Sequence, residues 1–200
     1  PSGALPSRPM ELENRLHEVA VMGAAGKMGR GIALLLAEHM AGAENAPGSR
    51  LTLIDTQEQA LGGLEQYIQT QAAKRAVRSG RPVNVSSIMQ TTTDPQRAAD
   101  SHLVFEALPE VEELKVAVLS QLRDSCSPDT WFLSNTSSIP IGELDRQARL
   151  DGRVVGFHFY NPPPVQKLLE VIPAATTRPA LVRAAGQLAV DLGKAVGSSR

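Results

Sequence analysis

Two ionisable residues occupy unexpected places in the stretch GFHFYNPPPVQKLLEVI, residues 156–172. His158 sits among aromatics, and Glu170 is alone in an apolar pentapeptide. Such groups cost stability unless they are paired. They are therefore either satisfied core residues or groups placed for chemistry, and the stretch by itself leaves both open. A second concentration of reactive groups is SNTSS, residues 134–138, which puts four hydroxyls and one amide on a turn after an apolar run. Open α/β sheets bind ligands at such strand ends, although the same string also suits an N-cap box ahead of a helix in IGEL.

A third group is the glycine-rich turn VMGAAGKMGRGIA, with Gly23, Gly26 and Gly29 between a strand and a helix. A dinucleotide's pyrophosphate needs backbone approach without Cβ atoms and a helix N-terminus beneath it. Gly26 would allow the approach, and Gly29 would let the helix sit close to the sheet. The spacing is G-x-x-G-x-x-G: Ala24 takes the usual first-glycine place counted back from Gly29, while counting from Gly23 makes the turn one residue longer. A plain connector is the alternative. Asp55 ends the next strand, where a carboxylate can accept from both ribose hydroxyls of an adenosine and repel a 2′-phosphate, favouring NAD over NADP. It can equally cap the helix that follows.

These groups need elements to hold them. Short apolar strands alternate with amphipathic helices, which implies an α/β fold with a mainly parallel sheet. Strands are expected at 18–23, 51–55, 102–108, in TWFLS, at 153–160 and at 168–172. One helix carries Met28, Ile32, Leu35, Leu36 and Met40, and a second carries Leu61, Leu64 and Ile68 despite Gly62 and Gly63. Asp94–Pro95 reads as a helix start. VEELKVAVLSQLRD forms another helix, and the last, with Leu181, Ala185, Leu188 and Leu192, is expected to finish the chain. Residues 1–16 read as an unstructured or added lead-in, residues 17–200 as a single domain, and 41–50 as an inserted loop.

Composition adds limits. The 200 residues are 42% hydrophobic and 20% charged with a formal net charge of −1, which gives no sign of a nucleic-acid or membrane partner. The single Cys126 allows no internal disulfide and fits a reducing, cytoplasmic setting. No metal-ligand spacing is present. His17, His39 and His102 lack a partner pattern, and Lys74, Arg75 and Arg78 make a basic helical face for which solvation is the default.

Read together, GxxGxMGxGIA, a strand ending in Asp, EALPE with a lysine soon after, SNTSS and HFYNPPPVQKLLEVI resemble the NAD-binding, N-terminal domain of the 3-hydroxyacyl-CoA dehydrogenase family, over about residues 17–197. The resemblance implies a Rossmann-like, doubly wound fold with helices on both faces. It implies NAD as cofactor, held by Gly23, Ala24, Ala25, Gly26, Lys27, Met28 and Gly29, with Asp55 on the ribose. Glu110, Lys115, Ser137 and Asn161 match positions near the cofactor's nicotinamide end. For Glu110 and Lys115 the residues alone suggest only an exposed ion pair. His158 matches the family's general base, Glu170 its partner, and Ser137 the serine that hydrogen-bonds the reacting oxygen. Lys74, Arg75 and Arg78 fall where family members meet the CoA phosphates. The activity implied is reversible oxidation of an (S)-3-hydroxyacyl-CoA to a 3-ketoacyl-CoA. Alternatives are a dehydrogenase of another small β-hydroxy acid and a non-catalytic NAD-binding protein. Family members continue into an all-helical domain that shapes the acyl-CoA site and builds a homodimer. This chain is accordingly expected to lack that domain, and alone to bind nucleotide but turn over poorly.

Overall fold

The computed structural model describes residues 11–42, 48–80 and 83–197. Eight strands form one sheet: β1 (Glu18–Met22), β2 (Arg50–Ile54), β3 (Met89–Thr92), β4 (Leu103–Glu106), β5 (Trp131–Ser134), β6 (Val154–Phe159), β7 (Leu168–Ile172) and β8 (Ala195–Gly197). Among the described residues, six α-helices accompany them: α1 (Leu12–Arg15), α2 (Gly29–Gly42), α3 (Glu58–Ser79), α4 (Glu112–Ser125), α5 (Ile141–Ala148) and α6 (Pro179–Asp191).

The sheet order is β3-β2-β1-β4-β5-β6-β7-β8. All neighbours run parallel except β6 and β7. The exception has a simple cause. The link from Phe159 to Leu168 is too short for the crossover that a parallel return needs. Because strand side chains alternate, each strand feeds two cores. Val19, Val21, Phe105, Leu133 and Phe157 pack beneath α2, α3 and α6. Ala20, Met22, Val104, Phe132 and Val154 pack beneath α4 and α5. The fold is Rossmann-like and doubly wound. Order reverses between β1 and β4, so the crevice beyond their C-terminal ends is where a ligand belongs.

Three expectations change. The lead-in was set at 1–16, but α1 falls within it. Arg15 is buried, donates to the Asp129 carbonyl at 2.6 Å and lies 3.5 Å from the Trp131 ring centre, and Leu12 and Leu16 pack against the core. Residues 1–10 are outside the described residues. The chain also does not end its structure on α6, because β8 follows and pairs with β7. Finally, β3 was not foreseen: MQTT is half-buried throughout, with no alternation to betray it. Of the inserted loop, residues 43–47 lie outside the described residues.

Candidate active site

His158 and Glu170 are direct cross-strand partners in the antiparallel β6–β7 pair. Opposed residues in such a pair stand within side-chain reach, and here His158 Nδ1 lies 2.9 Å from Glu170 Oε2. Both side chains are about one-fifth exposed, at 17% and 21%, so neither is sealed in the core. With Nδ1 occupied by the carboxylate, the tautomer with its proton there leaves Nε2 as an acceptor. Glu170 Oε2 also accepts from the Tyr160 hydroxyl at 3.0 Å, and this bond raises the Tyr160 pKa above its usual value.

The SNTSS turn is tied to this pair. Ser134 pairs with Gly156 in the β5–β6 register, and Asn135 Oδ1 accepts the Phe159 amide at 2.9 Å. SNTSS does not cap α5, whose N-cap is Pro140 and lacks a side-chain bond. Its donors converge on Glu110 instead. Oε1 of that residue accepts from Thr136 Oγ1 at 2.6 Å, from the Ser137 and Ser138 amides at 2.8 and 3.0 Å, and from both serine hydroxyls. Partial burial pushes this carboxyl up. The Thr136 hydroxyl, the two amides and Lys115 outweigh it and bring the carboxyl down to about 2.

Lys115 is not part of an exposed ion pair. It is 1% exposed, with its ammonium 2.6 Å from Glu106 Oε1, 3.2 Å from the Leu108 carbonyl and 3.3 Å from Glu110 Oε2. Glu106, itself fully buried, uses its other oxygen to accept from Ser134 at 2.5 Å. Glu106, Ser134 and Tyr160 lie within the motifs EALPE, SNTSS and HFYNPPP, but their residue types and spacing alone assign none of them a role. Glu106 had a usable signal, a lone acid inside an apolar strand, the same signal that marks Glu170.

At the crevice, Gly23 has φ +73°, and a Cβ there would stand 2.7 Å from the Ala107 carbonyl oxygen. A Cβ on Gly29 would stand 2.0 Å from the Gly23 oxygen, so the N-terminus of α2 can abut the turn only because residue 29 is a glycine. The Gly23 and Ala24 amides bond the Ile54 carbonyl, and Gly26 bonds Gly23. Among the described residues, the Lys27, Met28 and Gly29 amides have no backbone partner, as expected for a first helical turn. Asp55 accepts the Ala25 amide through Oδ2 at 3.1 Å and the Gln57 amide through Oδ1 at 3.2 Å. Hence the carboxylate braces the lengthened turn and holds the Gln57 amide, but it does not cap α3, whose N-cap is Gln57. A cradle without side chains, donors at a helix N-terminus and an acid at the end of β2 fit the adenosine and pyrophosphate of a dinucleotide.

The proline loop closes one side. The Asn161–Pro162 peptide is cis, and Asn161 and the prolines line a cleft of about 340 Å³ with Lys27, Arg30 and Tyr67. Arg75 donates to the Pro164 carbonyl at 2.6 Å and pairs with Glu38 at 2.6 Å. Lys194 donates to the Pro163 and Gln166 carbonyls at 2.5 and 2.8 Å. Of the basic face on α3, then, Arg75 is engaged within the protein, while Lys74 and Arg78 are exposed. Cys126 is buried, with its thiol on the Ala98 carbonyl.

The family described as 3-hydroxyacyl-CoA dehydrogenase, NAD binding domain, matches residues 18–197. A 3-hydroxyadipyl-CoA dehydrogenase from Escherichia coli is 32% identical over 183 residues, 90% of this chain and 37% of that protein. Among solved structures, a 3-hydroxybutyryl-CoA dehydrogenase from Escherichia coli superposes with a TM-score of 0.78 at 32% identity, over 91% of this chain and 38% of that one. M. tuberculosis FadB2 superposes with a TM-score of 0.76 at 30% identity, over 92% of this chain and 63% of the other. The chain thus spans between about a third and two thirds of the length of these relatives. With a Rossmann-like sheet, a glycine cradle at its switch point and a match across nearly every described element, the chain belongs to the 3-hydroxyacyl-CoA dehydrogenase family as its NAD-binding domain.

Proposed function

We propose that this domain serves the reversible oxidation of an (S)-3-hydroxyacyl-CoA to the 3-ketoacyl-CoA, with His158 as general base. The observation that carries the proposal is the 2.9 Å contact between His158 Nδ1 and Glu170 Oε2, because it leaves Nε2 to take a proton. When bound, NAD+ supplies the acceptor for the hydride that leaves the carbinol carbon. The remaining work falls to the chain's own residues. His158 Nε2 removes the hydroxyl proton, a task suited to an imidazole near neutral pH. Glu170 holds the ring and stabilises the imidazolium that forms. Ser137 donates a hydrogen bond to the reacting oxygen.

Gly23 to Gly29 and Asp55 hold the adenosine and pyrophosphate, and Asn161 and Glu110 lie toward the nicotinamide end. Lys115, being buried against Glu106, acts there through Glu110 rather than by direct contact. Lys74 and Arg78 meet the CoA phosphates, and Arg75 orders the proline loop beside them.

The test uses a protein in which this domain is joined to the family's helical domain, and follows NADH formation from four compounds: (S)-3-hydroxybutyryl-CoA, its (R) isomer, and the two free acids. Formation from the (S) thioester alone supports the proposal. Equal rates with the free acid would instead assign the domain to a dehydrogenase of small β-hydroxy acids.

A further inference from the structure

Glu170 carries a second hydrogen bond that the reaction above does not use. Tyr160 donates its hydroxyl to Oε2 at 3.0 Å, the same oxygen that lies 2.9 Å from His158 Nδ1. The phenol and imidazole rings are 5.0 Å apart and tilted by 49°. The placement follows from the strand. Tyr160 stands one residue past the end of β6, on the face that His158 occupies, and Glu170 stands opposite His158 in register. The tyrosine therefore reaches the carboxylate along the diagonal.

A glutamate carboxylate rotates readily about its last torsion, whose preferences are broad. At 21% exposure Glu170 is also open to water. Two donors on one oxygen fix which oxygen faces the ring and in which plane it lies. The tautomer of a histidine is set by the hydrogen bond at its other nitrogen, so whatever fixes the carboxylate also fixes the proton on Nδ1.

We propose that Tyr160 is a positioning residue: its hydroxyl orients the Glu170 carboxylate and thereby holds neutral His158 in the Nδ1–H tautomer with Nε2 bare. The role matters to catalysis only through the reading of His158 as the base. The positioning itself is a property of the resting protein.

Tyr160→Phe tests it cleanly, since the ring and its contact with the imidazole are kept and only the hydroxyl is removed. The readout is the nitrogen NMR spectrum of ¹⁵N-labelled histidine at a pH where the ring is neutral, with Glu170→Gln as reference. The expected result is a dominant Nδ1–H tautomer in the wild type. In Tyr160→Phe the tautomer ratio should fall, by at most about fivefold, the equilibrium equivalent of about one net hydrogen bond, and in Glu170→Gln by more. An unchanged ratio in Tyr160→Phe, with Glu170→Gln altered, overturns the proposal. An unchanged ratio in both variants overturns it too, since the carboxylate would then not set the tautomer. This readout needs no turnover, so it decides the proposal whatever His158→Ala does to the rate.

Discussion

Replacing Glu106 by leucine should be among the most damaging single substitutions in this domain. The Lys115 ammonium is 1% exposed and holds three partners, of which Glu106 Oε1 at 2.6 Å is the nearest. Without it, the cation keeps the Leu108 carbonyl at 3.2 Å and Glu110 Oε2 at 3.3 Å. The second of these is a carboxylate already committed to the Thr136, Ser137 and Ser138 donors. Breaking a buried pair from one side typically costs about 3–5 kcal/mol, because the surviving charge has no water to return to. The Ser134 hydroxyl and the Leu108 amide lose their acceptor as well. For a domain of this size each kcal/mol lowers the melting temperature by about 2–4 °C, so a fall of about 6–20 °C is expected. Thermal melting followed by circular dichroism at neutral pH measures it. The companion variant is Glu106→Leu with Lys115→Met, which leaves no charge buried and should recover at least half of the loss. A single variant within about 1 kcal/mol of wild type, or a double variant no better than the single, would refute the claim that this pair is energetically coupled.

Outcomes are also expected for four further variants. The Glu110 carboxyl is held at about 2 against 4.5 for the unperturbed group, and a depressed pKa contributes stability that is complete above the unfolded value and lost as pH falls through the folded one. The difference in melting temperature between wild type and Glu110→Gln should therefore be steady above about pH 5 and shrink toward about pH 2, and parallel curves over that window would contradict it. Gly23→Ala puts a Cβ 2.7 Å from the Ala107 oxygen at φ +73° and should lower the urea midpoint and weaken NADH binding. Gly62→Ala meets nothing within 4 Å on a helix and should stabilise by about 0.5–1 kcal/mol; the opposite order of midpoints would be a failure. Asp55→Ala removes the acceptor of the Ala25 and Gln57 amides as well as the ribose acid, so NADH titration followed through Trp131 should show affinity falling by at least about tenfold, and unchanged affinity would place the adenosine elsewhere.

The sequence was most legible where burial is most uniform. β1, β2, β4 and β5 are almost entirely buried, as strands covered on both faces must be, and they read as continuous apolar runs. β3 and β8 lie at the two sheet edges with half-buried or exposed residues, and nothing in MQTT or AVG distinguishes a strand from a loop. Arg15 anchors α1 by contacts made 114 and 116 residues away, at Asp129 and Trp131, which no local pattern encodes. In the site, His158 and Glu170 could be recognised as misfits, but their opposition depends on antiparallel register across a link whose length, not composition, sets the direction. Arg75 and Lys194 brace the proline loop through backbone carbonyls, and such acceptors leave no mark in a sequence. Glu106 was legible in principle, since its setting in LVFEAL matches that of Glu170 in LLEVI. Its neighbour Glu110, standing at the head of a helix with a lysine to follow, gave the more familiar pattern.

The account rests on His158 acting as a base on a domain that binds its cofactor independently of that residue. Its most direct test measures NADH affinity and the rate of (S)-3-hydroxyacyl-CoA oxidation together in His158→Ala, in a protein that joins this domain to the family's helical domain. The structure predicts affinity within about twofold of wild type and a rate reduced by about 10²–10⁴, the range for loss of a positioned general base. A rate within about tenfold of wild type, or a collapse of NADH affinity that accounts for the loss, would contradict it.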